Sequence, residues 1–167
     1  MVALQIADIR DFTAKLFLGE VFDSFCLVQA DITTYNTFSI DGRIQREFLD
    51  SDELELLDKN RRTLSLWKET KPFCLSIIRG KRTPVSFKIV FQLSHKKAEA
   101  FLSQANQLSL SENINGFYLN LQFKNKSLLC TTGVSQKTFV PDRQAEQLWD
   151  NLVLEFFSSH RILFEKL

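Results

Sequence analysis

Phe117-Tyr118-Leu119-Asn120-Leu121-Gln122-Phe123-Lys124-Asn125-Lys126-Ser127-Leu128-Leu129-Cys130-Thr131-Thr132 is the stretch that decides the architecture. Successive side chains of a strand point to opposite faces. Phe117, Leu119, Leu121 and Phe123 therefore share one face, and Tyr118, Asn120, Gln122 and Lys124 the other. Lys124-Asn125-Lys126 supplies a turn, and Leu128 to Thr132 a returning strand. Strands with one apolar and one polar face belong to an antiparallel sheet covered on a single side.

The same signals extend upstream. Val85, Phe87, Ile89, Phe91 and Leu93 alternate as a strand, and Ser94 is placed to cap a helix whose Ala98, Phe101, Leu102 and Ala105 form an i, i+3, i+4, i+7 stripe. Before it, Gly80 to Pro84 reads as a turn, and Phe73, Leu75 and Ile77 alternate as a further strand beginning after Pro72. Asp50 or Ser51 caps a short helix with Glu53 in its first turn and Lys59, Arg61 and Arg62 near its end, in keeping with the helix dipole. Asp41-Gly42 has the composition of a type I′ hairpin turn, joining the run through Phe38 and Ile40 to a returning strand from Arg43 to Leu49. Phe25 to Thr33 is rich in β-formers. At the start, Val2 to Ile6 predicts a strand, and Asp8 caps a helix carrying Ile9, Phe12 and Leu16. At the other end, Pro141-Asp142 opens a helix over about residues 142–158, with Ala145, Leu148, Trp149, Leu152 and Phe156 on one face.

Residues 1–49 and 85–140 thus share one order, strand, helix, then strands joined by tight turns, with residues 50–72 as a connector. The expectation is a single α+β domain over residues 1–167, its antiparallel sheets carrying helices on one face in a duplicated β-α-β-β-β plan.

The segments Thr33-Thr34-Tyr35-Asn36-Thr37-Phe38-Ser39-Ile40-Asp41-Gly42, Lys71-Pro72-Phe73-Cys74 and Arg79-Gly80-Lys81-Arg82-Thr83-Pro84 resemble an uncharacterised domain-of-unknown-function family of anaerobic Gram-positive bacteria. That resemblance implies no activity. The element order is more distantly similar to the DNA sliding-clamp fold, whose domains pair two β-α-β-β-β units with both helices on one face. Such a likeness implies basic helices facing nucleic acid. Here the first helix offers Asp8, Arg10, Asp11 and Lys15, close to neutral, and the second His95, Lys96, Lys97 and Glu99.

Composition bounds the classes. With 167 residues, 44% hydrophobic and 25% charged, the chain has the make-up of a globular protein rather than a disordered or fibrous one. No apolar run reaches the roughly 18 residues of a membrane span, and the first residues lack the pattern of a secretory signal. Cys26, Cys74 and Cys130 lie far apart in apolar runs without a C-x-x-C, which fits buried free thiols in the cytoplasm rather than a disulfide or zinc site.

Charge is the functional clue. Residues 1–58 carry twelve acids against four bases, residues 59–97 eleven bases against Glu69 alone, and the remainder seven acids against six bases. The middle block predicts an anion- or nucleic-acid-binding surface built on Arg61, Arg62, Arg79, Lys81, Arg82, Lys96 and Lys97, with nucleic acid or an acidic protein as partner. Neutralisation of that block by the acidic front of the chain is the competing expectation. Catalysis finds no signature: His95 and His160 sit at helix ends, no nucleophile elbow or H-E-x-x-H occurs, and the Arg79 to Pro84 turn is not a Walker loop. No cofactor, metal site or catalytic residue is assigned. The acids from Asp50 to Asp58 spread around a helix instead of converging on a metal. An enzyme acting on an anionic small molecule through the Arg79 to Arg82 turn, and self-association of acidic with basic segments into a homo-oligomer, remain alternatives to the binding module.

Overall fold

The computed structural model describes residues 1–167. Strands β1 (Ala3–Ile6), β2 (Cys26–Thr33), β3 (Thr37–Asp41), β4 (Ser86–Gln92), β5 (Ile114–Lys124), β6 (Ser127–Gln136) and β7 (Phe164–Lys166) form one sheet in the order β3-β2-β4-β5-β6-β1-β7. Every pairing is antiparallel. Between the strands run α1 (Ile9–Phe17), α2 (Ser51–Lys59), α3 (Trp67–Ile78), α4 (His95–Gln104) and α5 (Gln144–Ser159).

The β5–β6 hairpin closes as its alternation demands, with Lys124 opposite Ser127. Asn125 and Lys126 occupy the left-handed region at φ 53° and 59°, the pair of positive φ values that a two-residue type I′ turn requires. One face of the sheet buries Leu4, Ile32, Ile89, Phe91, Phe117, Leu119 and Leu121. Helices meet that same face through aromatic rings. Phe17 of α1 lies edge-on to Phe87 at 5.7 Å, Trp67 of α3 is 5.1 Å from Phe91, and Phe101 of α4 and Trp149 of α5 are 5.6 and 5.4 Å from Phe117. Trp149 also donates its Nε1–H to the Tyr118 carbonyl at 2.8 Å, which satisfies the one polar group of a ring otherwise buried. On the opposite face Gln29, Lys88 and Gln122 are exposed. An antiparallel sheet with helices on one face is the predicted class.

Helix ends follow local chemistry. Asp8 accepts from the Asp11 amide, Ser94 from the Lys97 amide, and Asp50 and Glu53 form a reciprocal capping box. α2, α4 and α5 all stop in Schellman caps, with the amides of Arg62, Gln107 and Ile162 donating to the carbonyls of Leu57, Leu102 and Phe157. The left-handed residue is Arg61, Asn106 and Arg161 respectively.

Three expectations are corrected. Asp41-Gly42 is not a hairpin turn: no glycine in the chain has positive φ, and β2 connects to β3 through residues 34–36. Gly42 instead answers to crowding, because a Cβ there would stand 1.7 Å from the Leu27 carbonyl oxygen. The returning strand from Arg43 to Leu49 is absent as well. Arg43 makes only an isolated bridge to Leu64, and Arg46–Phe48 is a single 3-10 turn.

Phe73 to Ile77 is helix, within α3, rather than strand. Trp67, Lys71, Cys74, Leu75 and Ile78 recur at helical spacing, and Trp67 and Cys74 are fully buried, while Phe73 is 65% exposed. Trp67 donates to the Leu16 carbonyl at 2.8 Å, and Lys71 to the Gly19 carbonyl and to Asp23 at 2.7 and 2.5 Å. These ties to the α1–β2 region hold the helix despite Pro72 in its interior, which removes one backbone donor.

Strand, helix, strand, strand does occur twice, as β1-α1-β2-β3 and β4-α4-β5-β6. The duplicated clamp-like arrangement is nonetheless not confirmed: there is one sheet, and neither unit has the fourth strand of the β-α-β-β-β plan. No helix is long and apolar enough to cross a membrane.

Candidate functional site

At the end of the sheet where β4 begins and β5 meets β6, the chain leaves a cleft of about 520 Å³. Each wall follows from the local fold. α1 contributes Ile9, Arg10 and Thr13, with Phe17 one further turn along. α3 ends at Ile78, after which Arg79 is extended and the exposed loop through Gly80, Lys81, Arg82 and Thr83 leads to Pro84. Pro84 and the bond from the Val85 amide to the Thr33 carbonyl, at 2.9 Å, steer this loop into β4. The floor is aromatic: Phe87 and Phe123 are cross-strand neighbours whose rings stack at 5.3 Å. Lys126 projects from the β5–β6 turn and completes the lining.

The electrostatics are one-sided. Arg10, Lys81, Arg82 and Lys126 line the cleft, and no Asp or Glu does. None of these four enters an ion pair. Several cations elsewhere are matched, although Lys88, Lys96 and Lys124, among others, also lack an ion-pair partner. Arg43 chelates Asp41, and Arg46 chelates Asp58, holding both carboxyls below the usual carboxylate range. Lys15 pairs with Asp11. Of the basic middle segment, Arg62 pairs with Glu69 at 2.5 Å, Lys71 with Asp23 at 2.5 Å and Arg61 with Glu99 at 3.5 Å. Only the Lys71–Asp23 pair joins that segment to the acidic front of the chain.

The basic segment therefore divides. Arg79, Lys81 and Arg82 lie in the loop at the cleft, although Arg79 is not part of its lining. Arg61 lies near the other end of β4, where its guanidinium is 2.8 Å from His95 Nε2. Lys96 and Lys97 are there too, in the first turn of α4, Lys97 donating to Ser24 Oγ at 2.5 Å. A seven-residue strand separates the two groups, a span of roughly 20 Å. Arg62 is half-buried and committed to Glu69. Arg10 and Lys126 are the cleft cations that charge-block reading misses, because both fall outside residues 59–97. Lys126 offers one local signal, a lysine in a tight turn beside an alternating strand. Arg10 offers none.

His160, half-buried, holds its Nδ1 2.8 Å from the Phe156 carbonyl at the end of α5. Cys26, Cys74 and Cys130 are free and buried, and burial raises all three thiols, that of Cys74 to about 11.

Fold and site together define a two-layer α+β protein with an apolar-floored, cationic cleft at one end of its sheet. The chain belongs to DUF5721, a family of unknown function whose model matches residues 15–165. The matched span takes in Lys81, Arg82 and Lys126, and begins after Arg10. No curated protein and no solved structure matches the chain.

Proposed function

We propose that the protein is a binding module for an anionic ligand and that this cleft is where the ligand sits. The observation that carries the reading is the convergence of four unpaired cations, with no carboxylate, on one concavity. The volume of about 520 Å³ falls in the roughly 300–1,000 Å³ range of small-molecule sites. Binding is favoured over catalysis because the lining has only arginine, lysine, two threonines and apolar groups. It holds no histidine and no carboxylate, the side chains that most often move protons in catalysis. Lys126 adds a further argument. A lysine at φ 59° sits where glycine is cheaper by on the order of 1 kcal/mol, and such local costs concentrate at functional positions. Three buried thiols fit a reducing compartment such as the cytoplasm.

Calorimetric titration with pyrophosphate at low salt tests the reading. The wild type should bind, and Lys81→Ala/Arg82→Ala should weaken binding about tenfold or more. Equal binding by both proteins, or none by the wild type, sinks it.

Nucleic acid is a second reading, favoured by exposed Lys88 and Lys124 on the uncovered side of the sheet, which extend the positive field beyond the cleft. For a single-stranded oligonucleotide, log K should then fall with log salt by about 0.7 for each phosphate contacted. Lys88→Ala and Lys124→Ala should each reduce that slope. An unchanged slope in both variants would exclude this route across the sheet.

A further inference from the structure

We infer that the ligand is an amphipathic anion: a phosphate or carboxylate head held at the rim by Arg10, Lys81, Arg82 and Lys126, with an apolar body lying on the floor beneath. The inference rests on the anion-binding reading and adds the other half of the molecule that is bound. The lining separates into two zones. Its cations come from the first turn of α1, the loop after α3 and the β5–β6 turn, and all four are exposed. Below them are Ile9, Phe17, Ile78, Pro84, Phe87 and Phe123.

What the floor lacks is as informative as what it has. The hydroxyl of Thr13 already donates to the Ile9 carbonyl at 2.8 Å. Thr83, in the exposed loop, is the other side-chain hydroxyl of the lining. A sugar lowered onto Phe17, Phe87 and Phe123 would leave its hydroxyls facing hydrocarbon, where unpaired polar groups are costly, and a nucleobase stacked there would find no side chain of the floor to pair with its polar edge. An alkyl or simple aromatic body has no such groups to strand. It would instead remove apolar surface of both partners from water, a gain proportional to the area covered. The head, still partly hydrated at the rim, keeps its charge while meeting cations that no carboxylate of the protein competes for.

A ladder of butyl, hexyl and octyl phosphate, titrated calorimetrically below micellar concentrations beside inorganic phosphate and octanol, tests the division of labour. Affinity should rise about fourfold for each added methylene, equivalent to ~0.8 kcal/mol, until the cleft is filled. Octanol should bind far more weakly than octyl phosphate. Lys81→Ala/Arg82→Ala should weaken every rung by a similar factor. Ile78→Phe, which fills the floor, should flatten the ladder and spare inorganic phosphate. Should that variant fold poorly by thermal melting, Ile9→Phe makes the same test from the opposite wall. A flat ladder with inorganic phosphate still bound overturns the amphipathic ligand and leaves the anion site standing. No binding of any phosphate overturns both. Octanoate in place of octyl phosphate tells which head the rim prefers, and either head supports the inference. Sedimentation with phosphatidic acid vesicles then distinguishes the source of the ligand: pelleting assigns the head to a bilayer, and no pelleting beside an intact ladder assigns it to a soluble amphiphile.

Discussion

Lys126 joins local strain to the proposed function at a single position. Its φ of 59°, next to Asn125 at 53°, is the geometry for which Asn-Gly is the best sequence. Lys126→Gly should therefore stabilise the hairpin by roughly 0.5–1 kcal/mol in urea unfolding. The same change removes a cleft cation, so pyrophosphate affinity should fall about threefold or more. Stability and binding moving in opposite directions would mark the lysine as kept for its charge, and joint improvement would remove that argument. Gly42 is the converse case, since it owes nothing to positive φ and everything to the Leu27 carbonyl 1.7 Å from where a Cβ would be. Gly42→Ala must push β2 aside and should destabilise by about 3 kcal/mol, the upper part of the overpacking range. A loss below about 0.5 kcal/mol would show that the backbone yields there more easily than the packing implies.

At the level of elements, legibility follows the range of the interactions that form each one. Caps are local, so Asp8, Asp50 with Glu53, and Ser94 can be read directly from residues three apart. The β5–β6 hairpin is equally plain, because alternation and turn lie within sixteen residues. α3 is not, because two signals compete in one window. Phe73, Leu75 and Ile77 alternate after a proline, yet the spacing that matters, Trp67 to Lys71 to Cys74 to Ile78, draws its force from partners about fifty residues away. Trp67→Phe loses the bond to the Leu16 carbonyl and, at a fully buried site, also leaves a small cavity where the larger indole was. It should cost about 2–4 kcal/mol and loosen α1 against α3, seen as faster amide exchange in both helices. Unchanged exchange in α1 would mean that the bond does not couple them. The cleft divides along the same line. Lys81 and Arg82 are contiguous and visible, whereas Arg10 arrives because β1 pairs with β6 and so brings the start of α1 beside the β5–β6 turn. No sequence window contains that adjacency.

For the whole molecule, the helix-covered face makes stability depend on groups that must stay neutral. Cys74, on α3, and Cys130, on β6, are fully buried between helices and sheet, and burial raises the Cys74 thiol from an ordinary 9.0 to about 11 and moves Cys130 upward as well. The unfolded chain gives up these protons from about pH 9, while the folded protein keeps the Cys74 proton until about pH 11. Unfolding therefore releases protons across that window, and stability must fall as pH rises through it. Below pH 9 both states are protonated and the contribution is present in full. The loss from Cys74 alone between pH 9 and 11 should be on the order of 2 kcal/mol. Urea unfolding of the wild type and of Cys74→Ala at pH 8.0, 9.5 and 10.5 isolates it. The variant starts less stable because it leaves a small cavity, but its stability should decline more gently, so the two curves converge as pH rises. Parallel curves would mean that the thiol ionises as readily in the folded protein as in the unfolded chain, and that the layer over it admits water.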